Sequence, residues 1–193
     1  MPLSINELYD KVDRAIVFLS ENEWMDKWKI QKGIFYFLWL DSINNKYPFS
    51  EAASKMQISP NRQGPYSESI DGEVETLIKD GFLEVLDPNS KILPVKGTEK
   101  GKSFFLSHIK QNERFCLVQI REILEKLNSD EVIFFVYFNP YIPDDVKSYF
   151  VSRSEMKQNL ISQKESYIQK LLNKEIIDPP TANKMRETIA KMT

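Results

Sequence analysis

Residues 26–43, DKWKIQKGIFYFLWLDSI, carry apolar side chains almost all round once past Lys32. A helix with this pattern has no face left for water, so it belongs at the centre of a fold, buried on several sides. Gly33 within it marks a point of close helix contact. The rest of the chain has to supply the elements that cover it.

Ser4 and Glu7 have capping-box spacing, and Ile5, Leu8, Val12, Ile16 and Leu19 recur on one face, which predicts a first helix over 5–21. After the central helix, NNKYPFSEAASKMQISPNRQGP lacks long periodicity and reads as a connection with room for a short helix at 51–57. Ile70, Val74, Leu77 and Ile78 then repeat at helical spacing, with Ser67 to cap the start and Gly81 to stop the end, so a third helix spans 67–80. FLEVL, DPNS and KILPV follow as two β-rich runs around a turn, a hairpin. Three helices and then a hairpin is the winged-helix order, in which the helix before the wing often enters the DNA major groove.

Beyond the hairpin the chain stays α-rich. Thr98 caps TEKGKSFFLSHI, and Cys116, Ile120, Ile123, Leu124 and Leu127 form a further helical face. SDEVIFFVYFNP is rich in strand formers, but Ser129, Asp130 and Glu131 make a helix start, and it reads as helix. Residues 155–174 are amphipathic, DPP punctuates, and TANKMRETIAKM makes a last helix. The expected fold is mainly α with a small β-hairpin (α+β): a winged-helix-like domain over 1–150 and a helical hairpin tail over 151–193.

With 193 residues the chain has room for one substantial core. Lys+Arg 26 against Asp+Glu 28, and a pI near 5.6, exclude a surface that is basic all over, so any nucleic-acid contact has to be local. MPLSINELYD lacks a basic region followed by an apolar run, and no uncharged apolar stretch of about 20 residues occurs. A soluble, cytoplasmic protein without a membrane partner is expected.

One cysteine, Cys116, leaves no internal disulfide, and together with one histidine, His108, it supplies too few soft ligands for an ordinary zinc site. These two form the one classical nucleophile-and-base pair, yet on a single helix they would stand about 12 Å apart. Cys116, between Phe115 and Leu117, reads as a core thiol. The glycines form neither GxGxxG nor GxxxxGK, and acid pairs such as Asp144-Asp145 lack partners for proton transfer. A binding protein, with no catalytic residues, metal or cofactor, is expected.

With its apolar residues turned inward, the third helix shows Glu68, Gly72, Glu75, Thr76 and Lys79, with Asp71 and Glu73 on the flanks. Phosphates would repel that face, because DNA affinity rests on Lys and Arg releasing counterions. Major-groove reading is disfavoured, and the face is expected to meet protein. For DNA there remain Arg62, Lys91, Lys96, Lys100 and Lys102 around the hairpin; the same lysines also keep edge strands from pairing.

KIQKGIFYF at 29–37, GPYS at 64–67, a helix ending KDGFL, and TEKG after the hairpin resemble, in order and spacing, the Panacea antitoxin domain and related prokaryotic proteins. The likeness covers roughly residues 5–150, and VIFFVYFNPYIPDDVKS looks like the family's C-terminal tyrosine-and-proline segment. Lys29, Gln31, Lys32 and Tyr36 match the first motif; Gly64, Pro65, Tyr66 and Ser67 match the second. The resemblance implies a compact, winged-helix-like domain that binds, as the antitoxin or regulatory partner of a neighbouring gene product. Read physically, Gly64-Pro65 sets a turn, Ser67 caps the third helix, and Tyr66 packs between the third and second helices with its hydroxyl bonded.

The tail lies outside the likeness. Met156, Leu160, Tyr167 and Leu171 line one face, and Ala182, Met185, Ile189 and Met192 line a second. A two-helix hairpin has little core of its own, so this surface is expected to seek a partner, either another protein such as a toxin or a second copy of the chain. Over 150–193, eight Lys/Arg face five Asp/Glu, which suits an acidic partner. Tyr167, Leu171, Met185 and Ile189 therefore join Glu68, Glu75 and Lys79 as partner-binding candidates.

Overall fold

Ser4 and Glu7 exchange both hydrogen bonds of the capping box and start α1 (Ile5–Leu19), whose inward stripe from Leu8 to Leu19 is sealed from water. The computed structural model describes residues 4–61, 64–149 and 154–191. Asp26 caps α2 (Lys27–Asn45), which is buried from Ile30 to Phe35 and again at Phe37, Leu38 and Trp39, as its all-round apolar pattern requires. α3 (Phe49–Lys55) occupies part of the connection. Behind it β1 (Ser59–Asn61) pairs with β2 (Gly64–Tyr66), a hairpin where the sequence suggests plain linker. Gly64 has φ +97°, a conformation open to glycine at little cost.

α4 (Glu68–Lys79) begins at Ser67, whose hydroxyl accepts from the Ile70 N–H. β3 (Leu83–Val85) and β4 (Val95–Gly97) then pair antiparallel, Leu83 opposite Gly97 and Val85 opposite Val95. The hairpin is where it is expected, but its second strand is not KILPV. Residues 91–94 stay in the loop, because Pro94 has no N–H for a ladder and Leu93 has φ +42°. Val95 and Gly97 bury while Lys96 between them is half-exposed, the alternation of a one-sided strand. On the other edge of β4, Met25 exchanges backbone hydrogen bonds of 2.9 and 3.0 Å with Val95, and Ser20 accepts from the Gly97 N–H.

Thr98 caps α5 (Glu99–Phe105), where a Cβ on Gly101 would fall 2.3 Å from the Phe82 carbonyl oxygen, so only glycine fits. A 3-10 turn, Leu106–His108, leads to α6 (Gln111–Lys126). By contacts the chain gathers into two compact units, residues 1–59 with 66–122, and residues 60–65 with 123–193. The boundary drawn near residue 150 from sequence runs through the second of these.

In that second unit Asn128 and Glu131 form a capping box that starts α7 (Ser129–Phe138), so the strand formers of VIFFVYF lie in a helix as expected. It is followed by α8 (Asp144–Lys147), α9 (Ser154–Ser162), α10 (Lys164–Asn173) and α11 (Pro179–Ala190); the amphipathic run over 155–174 breaks at Gln163. α7 packs on α10 and α11, with the Phe134 and Tyr167 rings stacked at 4.8 Å. Tyr167, Leu171, Met185 and Ile189 are thereby buried, which corrects their expected part as a free binding surface. α7 supplies the third helix that a two-helix hairpin lacks. Met192 and the side chain of Met156 lie outside the described residues.

Candidate functional site

The two sequence motifs meet at the start of α4. Gln31, buried on α2, donates to the Ser67 carbonyl at 2.8 Å and to Asp71 Oδ1 at 2.6 Å, while its own oxygen accepts from the Ser67 N–H at 3.1 Å. Tyr66 donates its hydroxyl to Asp71 Oδ2 at 2.8 Å, and Lys27 reaches the same oxygen at 2.9 Å. That bond to Asp71, with burial, pushes the Tyr66 phenol up to about 12. The Ser67 hydroxyl donates to the Met56 carbonyl, and Trp28 lies against Tyr66 with centroids 5.9 Å apart. Asp71 is therefore not a flank of the outer face; it turns inward and closes a clamp from α2 to α4. Lys32 is buried, Lys29 is half-buried, and Tyr36 packs on Trp39 at 5.1 Å with burial raising its phenol to about 12. Gln31, Lys27, Tyr66 and Asp71 together set the start of α4 on α2.

What the clamp presents is the outer face of α4. Glu68, Gly72, Glu75, Thr76 and Lys79 are exposed, and a Cβ built on Gly72 meets nothing within 4 Å among the described residues. The face is open and net acidic. The lysines considered for phosphate contact are mostly engaged: Lys100 donates to the Asp80 carbonyl at 2.6 Å and lies over the Phe82 ring, Lys102 pairs with Glu99 at 2.8 Å, and Lys96 lies 6.0 Å from the Trp24 ring centroid. Lys91 is exposed in the hairpin loop, and Arg62 lies outside the described residues. The same loop exposes Leu86 and Ile92.

A second polar feature passed unnoticed in the sequence. Lys11 on α1 reaches Asp41 on α2 at 2.6 Å, Tyr47 donates to the same carboxylate at 2.8 Å, and Asn45 donates to its other oxygen at 2.8 Å. Burial and the Asp41 charge raise the Tyr47 phenol far above its usual range. Glu113 on α6 draws Arg14 to 3.3 Å and caps its own helix through the Lys110 N–H. A cavity of about 320 Å³, lined by Glu7, Asp10, Lys11, Arg14, Asn45, Tyr47, His108 and Lys110, opens beside this network. Its inner charges are already answered by one another, so they set walls and do not call for a ligand. The readable signal was Lys11 on the inward stripe of α1 and Asp41 in an otherwise apolar helix.

Cys116 and His108 have separate attachments. The Cys116 sulfur accepts from Asn44 at 3.3 Å, with burial raising its thiol, and His108 Nδ1 bonds the Phe104 carbonyl at 2.8 Å. That carbonyl can only accept, so Nδ1 carries the proton in the neutral ring. Among the described residues no helix is long and apolar enough to cross a membrane. Compared with known proteins, the chain matches no family model and no curated protein.

Proposed function

We propose that this chain is a winged-helix-like, non-enzymatic binding module of the cytoplasm that acts through protein contacts, in the regulatory or antitoxin-like role its motifs suggest. The observation that carries the reading is the outer face of α4, which is open, acidic and held by the clamp directly before the β3–β4 hairpin. The order supports that placement: α1, an extended segment paired to β4, α2, then α4 followed by the β3–β4 hairpin. Acidic residues in that position repel phosphate and suit a basic protein surface. Leu86 and Ile92 on the hairpin loop add apolar contact area of the kind protein interfaces use.

DNA binding through the hairpin lysines is the lesser reading, since Lys100 and Lys102 already have partners. The test is binding to the product of the adjacent gene, with the full chain and with Glu68→Lys plus Glu75→Lys. A complex that the double reversal weakens by about 30-fold or more, in the range of desolvated interface charges, is expected. No complex, or one indifferent to the reversal, would sink the reading.

A further inference from the structure

Asp13 on α1 faces α4, and the group it meets there is another carboxyl, that of Glu73. Asp13 Oδ1 is sealed from water, and among the described residues no hydrogen-bond donor reaches it. Two ionised carboxylates are acceptors only, so a bond between these side chains needs one proton between them. On α1 itself the neighbouring charges are Asp10, which repels, and Arg14, which attracts but also bonds Glu113. Several charges on the other elements packed against α1 are directed elsewhere. Asp41 of α2 takes Lys11, Lys27 of α2 pairs with Asp71, Lys102 of α5 pairs with Glu99, and Lys100 donates to the Asp80 carbonyl. His108 bonds the Phe104 carbonyl, and Lys96 of β4 lies over Trp24.

We propose that one proton shared by Asp13 and Glu73 latches α4 to α1, so that the setting of the helix presenting Glu68, Glu75 and Lys79 responds to pH. The effect on binding rests on α4 being the contact face; the latch itself does not. Burial first, then the charge and hydrogen bond of Glu73, push the Asp13 carboxyl up to about 8. A carboxyl raised in this way contributes stability that is fully present below its ordinary value of 3.8 and is lost as pH rises through about 8. Above that point the proton has left to solvent, and two half-buried carboxylates repel across the seam.

The carboxylates held below their ordinary range, Glu7, Glu99, Glu131 and Asp178, titrate at lower pH. The window from pH 5.5 to 9 therefore lies above these four carboxylates, and within it the Asp13 and Glu73 variants single out the latch. The experiment is a carbon-13 NMR titration of the Asp13 carboxyl on the full chain, alongside urea unfolding across that window. The Asp13 carbon is expected to titrate near pH 8, and the folding constant to fall by up to about tenfold per pH unit between 6 and 8. Asp13→Asn, whose amide donates permanently, flattens that slope; Glu73→Gln does so from the other side and decides the matter if the first variant does not fold. A carbon that titrates near its ordinary value, or a slope both variants leave intact, overturns the latch. Because no partner is present, a failed latch and a failed contact face are read apart.

Discussion

Asp41→Ala is expected to destabilise the chain by about 3 to 5 kcal/mol, the range for breaking a buried ion pair from one side. Asp41 is 2% exposed and accepts from Lys11, Tyr47 and Asn45. Its loss leaves the buried Lys11 with Glu113, 3.9 Å away, as its nearest carboxylate, and a buried tyrosine hydroxyl without its acceptor. The cost comes from stranding these groups and exceeds what the pair itself contributes. Replacing both partners, Lys11→Met with Asp41→Leu, should therefore be far milder, near neutral if the side chains pack. Urea unfolding at neutral pH measures both. A loss below about 1 kcal/mol for Asp41→Ala would mean that water reaches Lys11 in solution.

Ending the chain after residue 153 is expected to unfold the second unit. The deletion removes α9, α10 and α11, and with them Leu160, Tyr167, Ile168, Leu171, Ala182, Met185 and Ile189, all buried. Each large apolar side chain contributes about 1.5 to 3 kcal/mol by burial, so the summed loss exceeds the whole stability of an ordinary domain. Phe134 loses the ring stacked on it, and the buried Glu131 loses Lys174, which stands 2.7 Å from its carboxylate. Aggregation, and exchange of the α7 amides without protection, is the expected result. A monomeric truncated chain with protected α7 amides would restore the tail as a separate appendage.

How far the fold was legible depended on whether the signal was local. Ser4 with Glu7, Ser67 and Thr98 are caps whose partners lie three residues away, and each helix starts where its cap predicts. Gly81 ends α4 with φ +75° for an equally local reason. The second strand of the β3–β4 hairpin was displaced because KILPV has strand composition, whereas pairing is decided by which N–H groups exist, and Pro94 lacks one. The tail was misjudged for a longer-range reason. An apolar helical face does not reveal what covers it, and α7 lies a loop and two short helices upstream of α10.

The site shows the same division. Tyr66 and Ser67 were readable as a bonded hydroxyl and a cap, and both are. Gln31 and Asp71 were not readable as partners, because they are 40 residues apart and a carboxylate in the first turn of a helix already has a sufficient local reason to be there. Asp13 and Glu73 are still further apart in sequence, and nothing in a string of residues announces that two acids face each other.

The most direct test of the account is fluorescence anisotropy of the full chain with DNA, over a salt series and with duplexes that include the region upstream of its own gene. An acidic α4, with Lys96, Lys100 and Lys102 already engaged, predicts weak, sequence-indifferent binding, with Kd no tighter than about 10⁻⁴ to 10⁻⁶ M at physiological salt. Nanomolar, sequence-selective binding that Lys91→Glu with Lys96→Glu weakens would contradict it and make the hairpin, not α4, the functional face.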